Sequence, residues 1–135
     1  MNDTTNTDTE AVRDVLRQAY GAWADNDADA FAALYTVDAT VVMPGVFHPD
    51  RATIHSYMRA GFAGPLQGSR AVDEERSVRV MGDTAIVISR SIILRAGESD
   101  TPDDADARAV TATWVLARTE DGWKIAAYSN APVNR

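Results

Sequence analysis

The sequence predicts an α+β fold, with helices packed on one face of an antiparallel sheet. Helical spacing of apolar residues fills the first half, and near Ser69 the period changes to two. The stretch from 109 to 133, AVTATWVLARTEDGWKIAAYSNAPV, then reads as two long strands around a turn at Glu120-Asp121-Gly122. Asp and Gly accept the positive φ of hairpin loops, and Val, Thr, Ile, Trp and Tyr suit a pleated surface. A chain of 135 residues suits one domain.

Residues 1–6 read as a disordered tail, and 7–135 as a single domain. Thr7-Asp8-Thr9-Glu10 fits a capping box that opens a helix running to about Ala24. Its apolar stripe is Val12, Val15, Leu16, Ala19, Tyr20 and Trp23. Asp25-Asn26-Asp27 breaks it, and a short second helix turns Phe31, Leu34 and Tyr35 inward. Ala39 to Met43 is a brief strand stopped by Pro44-Gly45. Asp50 caps a third helix with the stripe Ile54, Tyr57, Met58, Gly61 and Phe62. Arg70 to Met81 and Thr84 to Arg95 follow as strands around Gly82-Asp83. The acidic segment Gly97 to Ala107 reads as a solvated loop.

A net charge of −7 argues against nucleic acid or an anionic membrane as partner. Without cysteine there is no disulfide or thiol chemistry. No apolar run is long enough to span a bilayer, and the polar N-terminus is unlike a signal peptide. The expected location is the cytoplasm.

Three pieces, WADNDADAFAALYTVDATVVMPG, RATIHSYMRAGFAGPLQGS and ATWVLARTEDGWKIAAYSNAPV, resemble the nuclear-transport-factor-2-like superfamily. That group includes SnoaL-like polyketide cyclases and ketosteroid isomerase. The last two pieces look especially like a bacterial subgroup often labelled oxidoreductase. No Gly-rich dinucleotide turn, flavin motif or metal cluster accompanies that label here, so no cofactor and no metal are expected. The resemblance implies a cone-shaped, curved antiparallel sheet with three helices on its concave face. It also implies an apolar pocket and a homodimer formed through the outer sheet face.

By resemblance to the isomerase, Tyr20 matches the tyrosine that donates to an oxyanion, and Tyr35 its supporting tyrosine. Tyr57 and Met58 stand where the isomerase has adjacent aromatics. Met43-Pro44 replaces its Asp-Pro base, and Trp114 replaces its protonated Asp, so both working carboxylates are missing. The alignment puts Trp114, Leu116, Ile125, Ala127 and Ser129 on the pocket face. Tyr128 and Asn130 then face outward unless a bulge turns the strand's end.

The expected catalytic residues are Tyr20, as a donor to a carbonyl oxygen, and His48, as a base near neutral pH. The alternatives are a core Tyr20 bonded to Tyr35 and an exposed loop histidine. Trp23, Tyr35, Met43, Tyr57, Met58, Phe62, Arg90, Trp114, Ser129 and Asn130 are the expected binding residues. Arg90 is either a clamp in the cavity or the cross-strand partner of Glu75. The expected function is cofactor-independent catalysis of isomerase or cyclase type on a small apolar carbonyl-bearing molecule, as in polyketide or other secondary metabolism. The alternative is a non-catalytic binding or carrier protein.

Overall fold

The computed structural model describes residues 2–133. Helix α1 spans Asn2–Ala24, α2 Ala28–Ala32, α3 Arg51–Phe62 and the single turn α4 Ala105–Arg108. Strands β1 (Tyr35–Met43), β2 (Val46–His48), β3 (Arg70–Met81), β4 (Thr84–Leu94), β5 (Val110–Thr119) and β6 (Gly122–Pro132) form one sheet. Its order is β2-β1-β6-β5-β4-β3. Neighbours are antiparallel except β1 and β6, which run parallel. The fold is α+β, a curved open sheet carrying helices, as the alternation and helix-first order predict.

Val12, Val15, Leu16, Ala19 and Ala22 are the buried stripe of α1. They meet Phe31, Ile54 and Met58 from the other helices, and Val87, Trp114, Leu116 and Ile125 from the sheet, in one core. Asp27 caps α2 by accepting from the Ala30 N–H at 3.0 Å. Asp50 caps α3 by accepting from the Thr53 N–H at 2.9 Å. Each cap satisfies an amide that a helix start leaves orphaned.

Several boundaries differ from the sequence reading. Helix α1 already runs through Thr7, so the expected capping box is internal. Glu10 instead pairs with Arg13 and Arg17 one and two turns on. Tyr35 opens β1 rather than closing α2, because Leu34 O accepts from the Ile125 N–H at 2.8 Å and ties the chain to β6. The acidic segment is anchored rather than simply solvated. Arg108 grips Glu98 at 2.8 Å and the Ile93 carbonyl at 2.7 Å. Beneath this segment Ile92 and Leu94, on the outer sheet face, are 5% and 0% exposed.

Two irregularities place the site. The Gly82-Asp83 turn holds two residues, with Met81 opposite Thr84, but the β3–β4 register slips between Glu75 and Ser77. Arg76 is the extra residue. The β5–β6 register slips between Val115 and Leu116, leaving Ala126 extra on β6. Each such bulge reverses the in-out phase of the strand beyond it.

Candidate functional site

The helices and the concave sheet face enclose a pocket of about 230 Å3, small for a ligand site. Its walls are mostly apolar or aromatic: Trp23, Phe31, Val41, Met43, Ile54, Met58, Leu66, Ile93 and Trp114. Tyr20, Tyr35, His48, Tyr57, Ser91, Tyr128 and Asn130 bring polar atoms to the lining.

Tyr20 sits on the inner stripe of α1, its ring edge-on to Trp114 at 5.9 Å. Its hydroxyl donates to Asp73 Oδ1 at 2.7 Å. The bond therefore goes to a carboxylate on β3, not to Tyr35. Burial, then the Asp73 charge, push the phenol well above its ordinary range, while Ser91 opposes the shift. Asp73 is itself pushed up, chiefly by burial and further by the charge of Glu75, against hydroxyl contacts from Ser89 and Tyr20. The Ser89 hydroxyl is fully buried without a well-formed hydrogen bond. Tyr35 is 2% exposed, and burial holds its phenol protonated.

His48 differs from the exposed loop histidine of the alternative reading. It ends β2, is 7% exposed, and packs on Tyr57 with ring centroids 4.6 Å apart. Burial lowers its pKa, which keeps the imidazole neutral. Its Nε2 has no hydrogen-bond partner, and neither has the buried indole N–H of Trp114. Both atoms are themselves buried, on residues that line the pocket, and each is short of one bond.

Nine of the twelve expected site residues line this pocket: Tyr20, Trp23, Tyr35, Met43, His48, Tyr57, Met58, Trp114 and Asn130. Three lie elsewhere. Phe62 is core, edge-on to Trp23 at 5.7 Å. Arg90 points from the outer face and pairs with Asp106 at 2.6 Å. The bulge at Arg76 sets Glu74, not Glu75, opposite it, and Glu75 pairs instead with Arg13 at 3.0 Å. Ser129 falls opposite the outward Thr113, because the bulge at Ala126 exchanges the faces of β6. The same exchange turns Tyr128 and Asn130 inward. Tyr128 stacks obliquely on Trp114 at 4.4 Å, and its oxygen accepts from the Asn130 amide at 2.8 Å. Asp73, Ser91 and Tyr128 were not expected at the site. Simple alternation from the inward Val78 and Val80 would turn Asp73 outward, and only the extra Arg76 reverses it.

A model of the SnoaL-like domain matches residues 12–133. The chain belongs to this family. SnoaL-like chains form part of the NTF2-like superfamily, and solved structures with that fold resemble this one. An NTF2-like protein of cystatin-like fold from Novosphingobium aromaticivorans is 23% identical, with a TM-score of 0.79 over 95% of this chain and 83% of its own. A domain of cystatin-like fold from Nostoc punctiforme is also 23% identical, with a TM-score of 0.84, covering 97% and 80%. A candidate dehydratase of the NTF2-like family from Streptomyces avermitilis is 25% identical, with a TM-score of 0.75, covering 97% and 99%. Among curated proteins no sequence matches this SnoaL-like chain. No helix among its described residues is long and apolar enough to cross a membrane.

Proposed function

We propose that the pocket binds a small, apolar, carbonyl-bearing molecule and moves a proton on it without a cofactor, in the manner of an isomerase or cyclase. The observation that carries this reading is that Tyr20, a phenol, and His48, a neutral imidazole whose Nε2 has no protein partner, line one apolar pocket. A phenol O–H can stabilise the negative charge that develops on a carbonyl oxygen during enolisation. A neutral imidazole can accept the proton lost from the adjacent carbon. Met43, Met58, Tyr57 and Trp114 supply the apolar walls that exclude water and strengthen both interactions. A pocket of about 230 Å3 suits a small secondary metabolite or polyketide fragment, and the similar Streptomyces protein bears a dehydratase name.

A second reading, a carrier that binds without reacting, is favoured by one observation. Met43 and Trp114 stand where the isomerase-like pattern has carboxylates. Acetophenone in deuterated buffer separates the two readings. Its carbonyl and ring suit the lining, and enolisation exchanges its methyl hydrogens. Exchange accelerated by the wild type, and reduced in Tyr20→Phe and His48→Gln, is the expected result. Saturable binding without exchange supports the carrier. Absence of binding overturns the carbonyl ligand class.

A further inference from the structure

Two cavities meet at Tyr20. One is the apolar pocket. The other is an open cleft of about 480 Å3, lined by Arg13, Arg17, Tyr20, Asp73 and Glu75 among others. Asp73 lines the cleft and not the pocket, yet it holds the hydroxyl of a residue that lines both. A phenol has one proton to donate. While Asp73 is ionised, that proton is committed to the carboxylate, and the phenol oxygen can only accept from the pocket. Once Asp73 is protonated, its own O–H can donate to the phenol oxygen, and the Tyr20 proton is free to point inward.

We propose that Asp73 is a positioning residue whose protonation state decides whether Tyr20 donates a hydrogen bond into the pocket or accepts one from it. The pocket then favours a ketone in the first state and an alcohol in the second. The proton passes between Asp73 and water in the cleft, so the switch works while a ligand fills the pocket. No covalent bond changes.

The groups around Asp73 are consistent with titration above the ordinary carboxylate range. From α1 it faces Tyr20, and the cleft brings Arg13 and Arg17. Arg13 is engaged by Glu75 and Glu10, and Arg17 by Glu10 and Asp14. On β3 itself, the like charge of Glu75 opposes ionisation. From β4 the hydroxyls of Ser89 and Ser91 face the pair, and from β6 Tyr128 adds a neutral phenol. Burial outweighs the hydroxyl contacts.

This inference rests on the ligand class proposed above, and the test reads the two separately. Tyrosine labelled with 13C at Cζ reports the Tyr20 hydrogen bond by NMR without any ligand, with Tyr20→Phe assigning the signal. The Tyr20 resonance is expected to step with pH at the midpoint of the Asp73 carboxyl carbon, and to lose the step in Asp73→Asn. Acetophenone and 1-phenylethanol, alike in shape, then serve as binding probes. Their affinity ratio is expected to move about tenfold toward the alcohol as pH rises through that midpoint. It should stay flat in Asp73→Asn. A Tyr20 signal without the step overturns the proposal whether or not the probes bind. A step accompanied by a constant affinity ratio overturns it too. A step with neither probe bound supports the Asp73–Tyr20 coupling and removes the ligand class instead. The wild-type titration carries the test if Asp73→Asn fails to fold.

Discussion

Tyr20, Asp73 and His48 are the residues whose surroundings most alter their chemistry. Tyr20→Phe removes one hydroxyl and leaves the ring against Trp114. It should cost on the order of 1 kcal/mol in denaturant unfolding, and at least about a hundredfold in turnover once a substrate is found. His48 gives a pH signature of definite sign. Burial lowers its folded pKa beneath the ordinary 6.5, so the unfolded chain takes up a proton first on acidification. Its contribution to stability is complete above about 6.5 and is lost as pH falls toward the lowered value. His48→Gln should flatten the stability profile in that window, as read by urea midpoints at a series of pH values. Asp73 carries the opposite sign. Its folded pKa is raised above 3.8, so stability falls as pH rises from there through the raised value. Asp73→Asn should remove that slope from the acid limb. Ser89→Ala deletes a buried hydroxyl that makes no well-formed bond. It should change stability by less than about 1 kcal/mol while raising the Asp73 midpoint further.

At the scale of elements, the end of α1 is tied to the segment entering β3 by two residues, Asn26 and Trp23. Asn26 has φ of 53° and donates through its amide to Trp23 O at 2.8 Å and Ser69 O at 3.2 Å. Its side-chain oxygen accepts from the Gly68 N–H at 2.5 Å. The Trp23 indole N–H adds a bond to Ser69 Oγ at 2.9 Å. Asn suits both tasks, since it tolerates the left-handed region and carries donor and acceptor together. Asn26→Ala should cost about 2 kcal/mol in chemical denaturation, through lost bonds and backbone strain. Asn26→Gly should cost less, because glycine keeps the backbone conformation. Equal losses in the two variants would show that strain plays no part. The bulges act at this scale as well. Each shifts a strand's phase by one residue. Together they deliver Asp73, Tyr128 and Asn130 to the inside and leave Ser129 outside.

The whole molecule leaves one sheet face to be covered. Thr113, Val115, Ala117, Ala127 and Ser129 stand there half-buried within a single chain. We propose that this face joins two copies, as the resemblance implies. Val115→Lys should then yield monomers or aggregates, since an interface cannot bury an unpaired ammonium without large cost. Sedimentation of the wild type as a monomer at micromolar concentration would remove the idea.

The sequence by itself determined the helix-first α+β order, the cap at Asp50, the two-residue turn at Gly82-Asp83, and the core stripe of α1. These depend on local φ preference and on the periodicity of apolar residues, which neighbours a few positions apart enforce. It also pointed to most of the pocket wall, because large apolar residues on a helix's inner stripe can hardly face anything else. Tertiary structure alone decided how the polar groups of the site are partnered, and brought Asp73, Ser91 and Tyr128 to it. Whether Asp73 faces in or out depends on one extra residue in β3, and a bulge is set by how two strands pair, not by either strand's composition. Tyr20 shows the same division. Its spacing turned it inward, but its partner lies 53 residues away, across a contact that only folding creates.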